Sequence, residues 1–184
     1  MPQSLTSRVK LNDGNEYPQL GLGVYDSAPG PETYNAVKWA LEAGYRAIDT
    51  AEWYENEADS GRAILDFMRE TGTPRSEIYY TTKLMHNRGK AFTHESIDTS
   101  LKKSGLDYID LYLVHGPHGG DDMRKELWEA LSEAKDAGKL RSIGVSNFGV
   151  RHLRNLLATK PKYVPAVNQI VSCLVLMMTN ADCR

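Results

Sequence analysis

Two periodicities alternate along this chain. Short apolar runs at residues 20–25, 46–50, 78–84, 109–115, 141–146 and 166–171 have the length and side-chain types of β-strands. Between them, apolar residues recur at helical spacing. From about Glu32, the positions Val37, Ala40, Leu41 and Gly44 share one face. From near Asn56 to a stop at Gly72 and Pro74, Ala63, Ile64, Phe67 and Met68 do the same. Further helices are predicted over 96–104, 123–137 and 150–158. Ahead of the first strand, residues 8–11 and 15–17 flank Asp13-Gly14, a pair suited to a tight turn with positive φ, so a β-hairpin is expected to open the fold.

Strands separated by helices imply parallel pairing, because parallel neighbours cannot be joined by a tight turn. Two architectures satisfy that pattern. An open doubly wound sheet for a dinucleotide carries G-x-G-x-x-G after its first strand, and here only Gly21-Leu22-Gly23 occurs, inside a strand-like run. The reading is therefore an α/β fold of the (β/α)8 barrel type. A complete barrel of that type takes roughly 250 residues, and this chain offers six strands and five helices, so about six β/α units are expected. Residues 1–170 form the expected barrel domain, and residues 171–184 a separate tail.

Composition narrows the partners. The 184 residues carry 22 basic and 24 acidic side chains, a formal net charge of -2, which offers no basic footprint for nucleic acid or an anionic membrane surface. There is no apolar run of membrane-spanning length, and the first ten residues are polar. Both cysteines, Cys173 and Cys183, fall near the end and cannot build a disulfide framework. A cytoplasmic protein with a small-molecule partner is expected.

The chemistry-bearing residues gather at predicted strand ends. Asp49 closes the second strand, and Tyr54 follows five residues later. Lys83 closes the third strand, and His115 closes the fourth. Singly, each has an ordinary explanation: a helix cap, a packing ring, a solvated charge. Together they share the rim where barrel enzymes hold their active sites. A tyrosine hydroxyl is a weak acid, but a neighbouring ammonium favours the phenolate, so Lys83 is expected to lower the pKa of Tyr54. Asp49 would keep Lys83 charged, and a neutral His115 would hydrogen-bond a carbonyl oxygen.

These four residues, with Gly21 to Tyr25, Ile48 to Ala51, Asn56-Glu57, Tyr108 to Tyr112, Gly138 to Phe148 and Pro165 to Gln169, resemble the aldo-keto reductases. That resemblance implies a barrel that reduces aldehydes and ketones with NADPH, without metal or flavin, and that is monomeric at full length. It implies Tyr54 as general acid. It also implies Ser146, Asn147 and Gln169 as ligands of the nicotinamide carboxamide, with Asp49, Val24 and Tyr25 also on the cofactor side and Tyr25, Trp53 and His115 toward the substrate. His86, His94, His118 and His152 are read as surface residues, and no metal is predicted.

Several positions depart from the family. Tyr25, Met85 and Gly116 stand where many members carry tryptophan, which predicts a wider, less aromatic pocket. From Val171 onward the sequence leaves the pattern, so the barrel is expected to be cut short and the tail to be of different origin, as in a translated intron. Two further readings then follow: an inactive truncated barrel, or a non-catalytic subunit that senses nucleotide.

Overall fold

The computed structural model describes residues 4, 5 and 7–171. The expected tail, apart from Val171, lies outside the described residues. The chain opens with the antiparallel pair β1 (Arg8–Lys10) and β2 (Glu16–Pro18), turning at Gly14 with φ of 89°, a value that favours glycine. Six parallel strands follow: β3 (Leu22–Gly23), β4 (Ala47–Asp49), β5 (Tyr79–Leu84), β6 (Ile109–Val114), β7 (Leu140–Ser146) and β8 (Asn168–Gln169). Helices α1 (Pro31–Glu42), α2 (Glu57–Thr71), α3 (Lys90–Ser104), α4 (Gly120–Asp136) and α5 (Val150–Ala158) connect them.

Strand order separates the two architectures. The sheet runs β3-β4-β5-β6-β7-β8 without reversal, whereas a doubly wound sheet changes direction at a switch point. The strands thus form a curled arc of a (β/α) barrel. Its outer face carries the main core, in which Ile48, Tyr80, Tyr112 and Val145 meet Leu41, Ile64, Phe67, Ile97, Trp128 and Leu131 from the helices. Its inner face carries a smaller cluster of Ala47, Tyr79, Leu111 and Leu113, closed by Tyr17 of the hairpin, whose ring stands edge-on to Tyr79 at 5.1 Å. Because side chains alternate along a strand, Asp49 shares the inward face with Ala47, and Lys83 shares it with Tyr79. Among the described residues, no helix is long and apolar enough to cross a membrane.

Four elements differ from the sequence expectation by more than a residue at one end. The first and last barrel strands are shorter than predicted, two residues each, because among the described residues each pairs on one side only. Helix α3 begins at Lys90 rather than residue 96. Its inward stripe is Thr93, Ser96, Ile97, Ser100 and Ser104, mostly small polar residues that carry no hydrophobic signal. Helix α4 begins at Gly120, three residues before the predicted start.

Candidate active site

Strand β4 ends at Asp49 and the chain turns through Thr50 and Ala51 into a single 3-10 turn, Glu52–Tyr54. Glu55, with φ of 58°, reverses direction into α2. That compact connection is braced from below by Asn56, which is fully buried. Its amide donates to the carbonyls of Val24 at 3.0 Å and Ser27 at 3.2 Å, and its oxygen accepts from Thr50 Oγ1 at 2.6 Å. Tyr54 is thereby aimed over the end of the sheet, next to Lys83.

Lys83 is 1% exposed. Its ammonium donates to Asp49 Oδ1 at 2.5 Å, to the Thr50 carbonyl at 2.8 Å and to the Tyr54 hydroxyl at 3.4 Å. Three oxygens offset the desolvation of the charge. Burial still draws the Lys83 pKa down, and Asp49 opposes that. The Tyr54 ring lies 5.6 Å from His115 and 5.1 Å from Tyr25, and Trp53 stands 5.9 Å from His115. Burial and the Lys83 charge depress the His115 pKa to about 4, so its imidazole is neutral at neutral pH, as expected.

Tyr54 corrects the sequence expectation. Its pKa is pushed up to about 12, by burial first and then by Asp49 and Tyr25. Lys83 directs its short bonds at Asp49 and Thr50, and its bond to the tyrosine is the longest of the three. The hydroxyl is therefore fully protonated at neutral pH.

The residues expected around the nicotinamide sit beside this group. Ser146, buried, donates to the Gln169 carbonyl at 3.0 Å. Asn147, with φ of 58°, donates to the His115 carbonyl at 3.2 Å and to Ser146 Oγ at 3.1 Å. Gln169 donates to Asp49 Oδ2 at 2.9 Å. The carboxamide oxygens of Asn147 and Gln169 accept no bond among the described residues, and Ser146 Oγ has acceptor capacity left, a donor and acceptor set that fits an amide ligand. Val24 is not part of this rim: its side chain is 0% exposed and belongs to the core. Tyr25 and Trp53 are open to solvent, at 68% and 59%.

A cavity of about 620 Å³ lies over these residues, lined by Tyr25, Trp53, Tyr54, Met85, His115 and Asn147, and also by His86, His118 and Val171. His86 and His118, read as surface residues, are indeed exposed, but both belong to the cavity wall. The reading also missed Glu52, whose carboxylate accepts the Met85 amide at 3.0 Å and fixes that part of the rim.

Known proteins resemble this chain in sequence and in fold. The chain is 51% identical over 166 residues to an uncharacterized oxidoreductase of Schizosaccharomyces pombe, a match covering 90% of this chain and 59% of that protein. The crystal structure of an aldo/keto reductase from Brucella melitensis superposes with a TM-score of 0.84 at 45% identity, covering 91% of this chain and 63% of the other. That of a Bombyx mori aldo-keto reductase in complex with NADP gives 0.82 at 36% identity, covering 91% and 58%. The chain thus spans about three-fifths of the length of these relatives. With the aldo/keto reductase family model matching residues 19–183 on a parallel barrel arc of this kind, the chain belongs to the aldo/keto reductase family.

Proposed function

We propose that this site reduces aldehydes or ketones to alcohols, with NADPH as reductant and Tyr54 as general acid. The observation that carries the reading is the convergence of Tyr54, Lys83, Asp49 and His115 at one cavity, around a buried ammonium bonded to three oxygens. The Tyr54 hydroxyl delivers its proton to the carbonyl oxygen as negative charge develops there. Lys83 stabilises the phenolate left behind, and Asp49 keeps Lys83 charged and aimed. His115, neutral, donates a hydrogen bond to the same oxygen and orients the carbonyl.

The reduced dinucleotide, when bound, supplies the hydride. Ser146, Asn147 and Gln169 would hold its carboxamide, Asp49 and the backbone about Val24 and Tyr25 would border it, and Tyr25, Trp53 and His115 would face the substrate. The choice of NADPH rests on the resemblance and on the NADP complex of the Bombyx mori relative.

The test is carbonyl-dependent NADPH oxidation by the 184-residue chain and by its Tyr54→Phe variant, over a panel of aldehydes and ketones. A loss of roughly 100-fold or more on removing the hydroxyl supports the reading. Turnover retained by the variant removes Tyr54 as the acid. Turnover absent from both proteins removes the activity from this chain.

A further inference from the structure

Two consecutive side chains at the start of α2 reach two different strands. Asn56 accepts from the Thr50 hydroxyl at 2.6 Å, and Glu57 accepts from the Thr82 hydroxyl at 2.6 Å. Thr50 follows Asp49, the last residue of β4, and Thr82 precedes Lys83 in β5. Each member of the Asp49–Lys83 ion pair is therefore flanked by a threonine tied to the same dipeptide. Thr50, Asn56 and Thr82 are fully buried, and Glu57 is 1% exposed, so water does not compete for these bonds.

Neighbouring residues of a strand face opposite sides of the sheet. Thr82 is turned outward to α2 where Lys83 is turned inward to Asp49, and the bond on the outer side fixes the backbone from which Lys83 reaches. A carboxylate is costly to bury, and this one has few partners. Its Oε1 takes the Thr82 bond, while its Oε2 accepts no hydrogen bond among the described residues and lies 3.7 Å from the Lys103 ammonium of α3. Its place as the first residue of α2, where the helix dipole favours an anion, offsets part of the cost. Packing alone does not require an acid here, since an apolar side chain of similar volume fills such a space without burying charge. What the carboxylate adds is a strong, directed acceptor for Thr82.

We infer that Glu57 is a positioning residue for Lys83: through its bond to Thr82 it sets how the ammonium divides its bonds among Asp49, Thr50 and Tyr54. The inference rests on the carbonyl-reductase reading above. The Lys83 bond to the Tyr54 hydroxyl, at 3.4 Å, is near the limit for a hydrogen bond, so a small displacement of β5 at residue 82 breaks it before the other two.

The test uses Thr82→Val, which removes the donor and keeps the shape, Thr82→Ser, which keeps the donor, Glu57→Leu, and the double variant Thr82→Val with Glu57→Leu. Single-turnover hydride transfer at saturating NADPH and carbonyl substrate is read per folded protein, so a loss of stability alone does not enter it. Thr82→Val should slow that step about tenfold or more while the Kd for NADP changes less than about twofold, and Thr82→Ser should recover most of the rate. Glu57→Leu should lose a similar factor, and the double variant should be no slower than either single one, because both changes remove the same bond. The ammonium nitrogen resonance of Lys83, assigned by its absence in Lys83→Met, reads the position without turnover. It should move in Thr82→Val and return in Thr82→Ser. A single-turnover rate in Thr82→Val within about twofold of the native chain, with only the urea midpoint lowered, overturns the inference and leaves the carbonyl-reductase reading standing. Losses that multiply in the double variant also overturn it, because Glu57 then does not act through Thr82. No turnover of any carbonyl by the native chain removes the carbonyl-reductase reading instead. The resonance then decides the positioning alone, an unmoved one overturning it and a moved one upholding it.

Discussion

Gln169 and Asp49, 120 residues apart in the sequence, are joined by a 2.9 Å hydrogen bond from the Gln169 amide to the Asp49 carboxylate. The other carboxylate oxygen holds Lys83, so one side chain links the nicotinamide side of the proposed site to its proton-handling side. The bond also connects β8 to β4 across the interior of the arc. Replacing Gln169 with leucine removes a donor to a charged acceptor, worth about 1.5–3 kcal/mol. The expected outcome of Gln169→Leu is a lower urea midpoint together with a raised Kd for NADP. An unchanged urea midpoint would show that the bond contributes nothing to holding β8.

The depressed pKa of His115 sets a pH dependence. Its value of about 4 in the folded chain lies below the ordinary 6.5, so between those values the unfolded chain binds more protons than the folded one. The contribution to stability is complete above pH 6.5 and is lost as pH falls through that window toward 4. Tyr54, at about 12, stays protonated throughout. The profile of kcat/KM for carbonyl reduction should therefore stay level from about pH 8 to about pH 5 and decline only near the folded value. An inflection at 6.5 that disappears in His115→Asn would mean that the imidazole titrates like a solvated one.

Asn56 ties three segments to one buried amide: the Val24 and Ser27 carbonyls, the Thr33 hydroxyl and the Thr50 hydroxyl. Asn56→Ala leaves the buried Thr50 hydroxyl without its partner and removes one of the bonds of each of the other three groups, which keep a second, at a cost of about 1–3 kcal/mol. The segment it braces carries Tyr25, which lines the cavity, so substrate KM should rise as well. Equilibrium urea unfolding and steady-state kinetics on the same variant read the two effects. A stable variant with native KM would mean that other contacts hold the Val24 to Ser27 segment.

Legibility of this fold in the sequence followed burial. Strands β5, β6 and β7 match their predicted spans to within a residue because nearly every residue in them is buried, and aliphatic, aromatic and β-branched side chains recur through each. The first turns of α3 were illegible because they bury threonine and serine rather than leucine. Asp49, Tyr54, Lys83 and His115 could be found because each falls at or just beyond a strand end on one rim. The direction of the Tyr54 shift could not, since it depends first on how far the folded chain buries the phenol, and then on Asp49 and Tyr25 beside it.

Gly61 is a glycine whose role only packing reveals. It lies inside α2, where alanine would ordinarily be better by about 1 kcal/mol because glycine has more backbone entropy to lose. Here a Cβ would stand 2.0 Å from the Ser104 carbonyl oxygen and 2.5 Å from the Ser104 carbonyl carbon and Cα. All three are backbone atoms at the end of α3, so no side chain can rotate away. Forcing the helices apart costs about 3 kcal/mol, larger than the propensity gain and opposite in sign. It also disturbs Glu57, at the start of α2, whose buried carboxylate accepts from Thr82 at 2.6 Å next to Lys83. Gly61→Ala is therefore expected to lower the urea midpoint and to reduce turnover together, with Gly72→Ala, at an open helix end, as the comparison for simple glycine strain. A Gly61→Ala protein more stable than the native chain would show that α2 and α3 separate without cost, and that their close approach is not what positions Glu57.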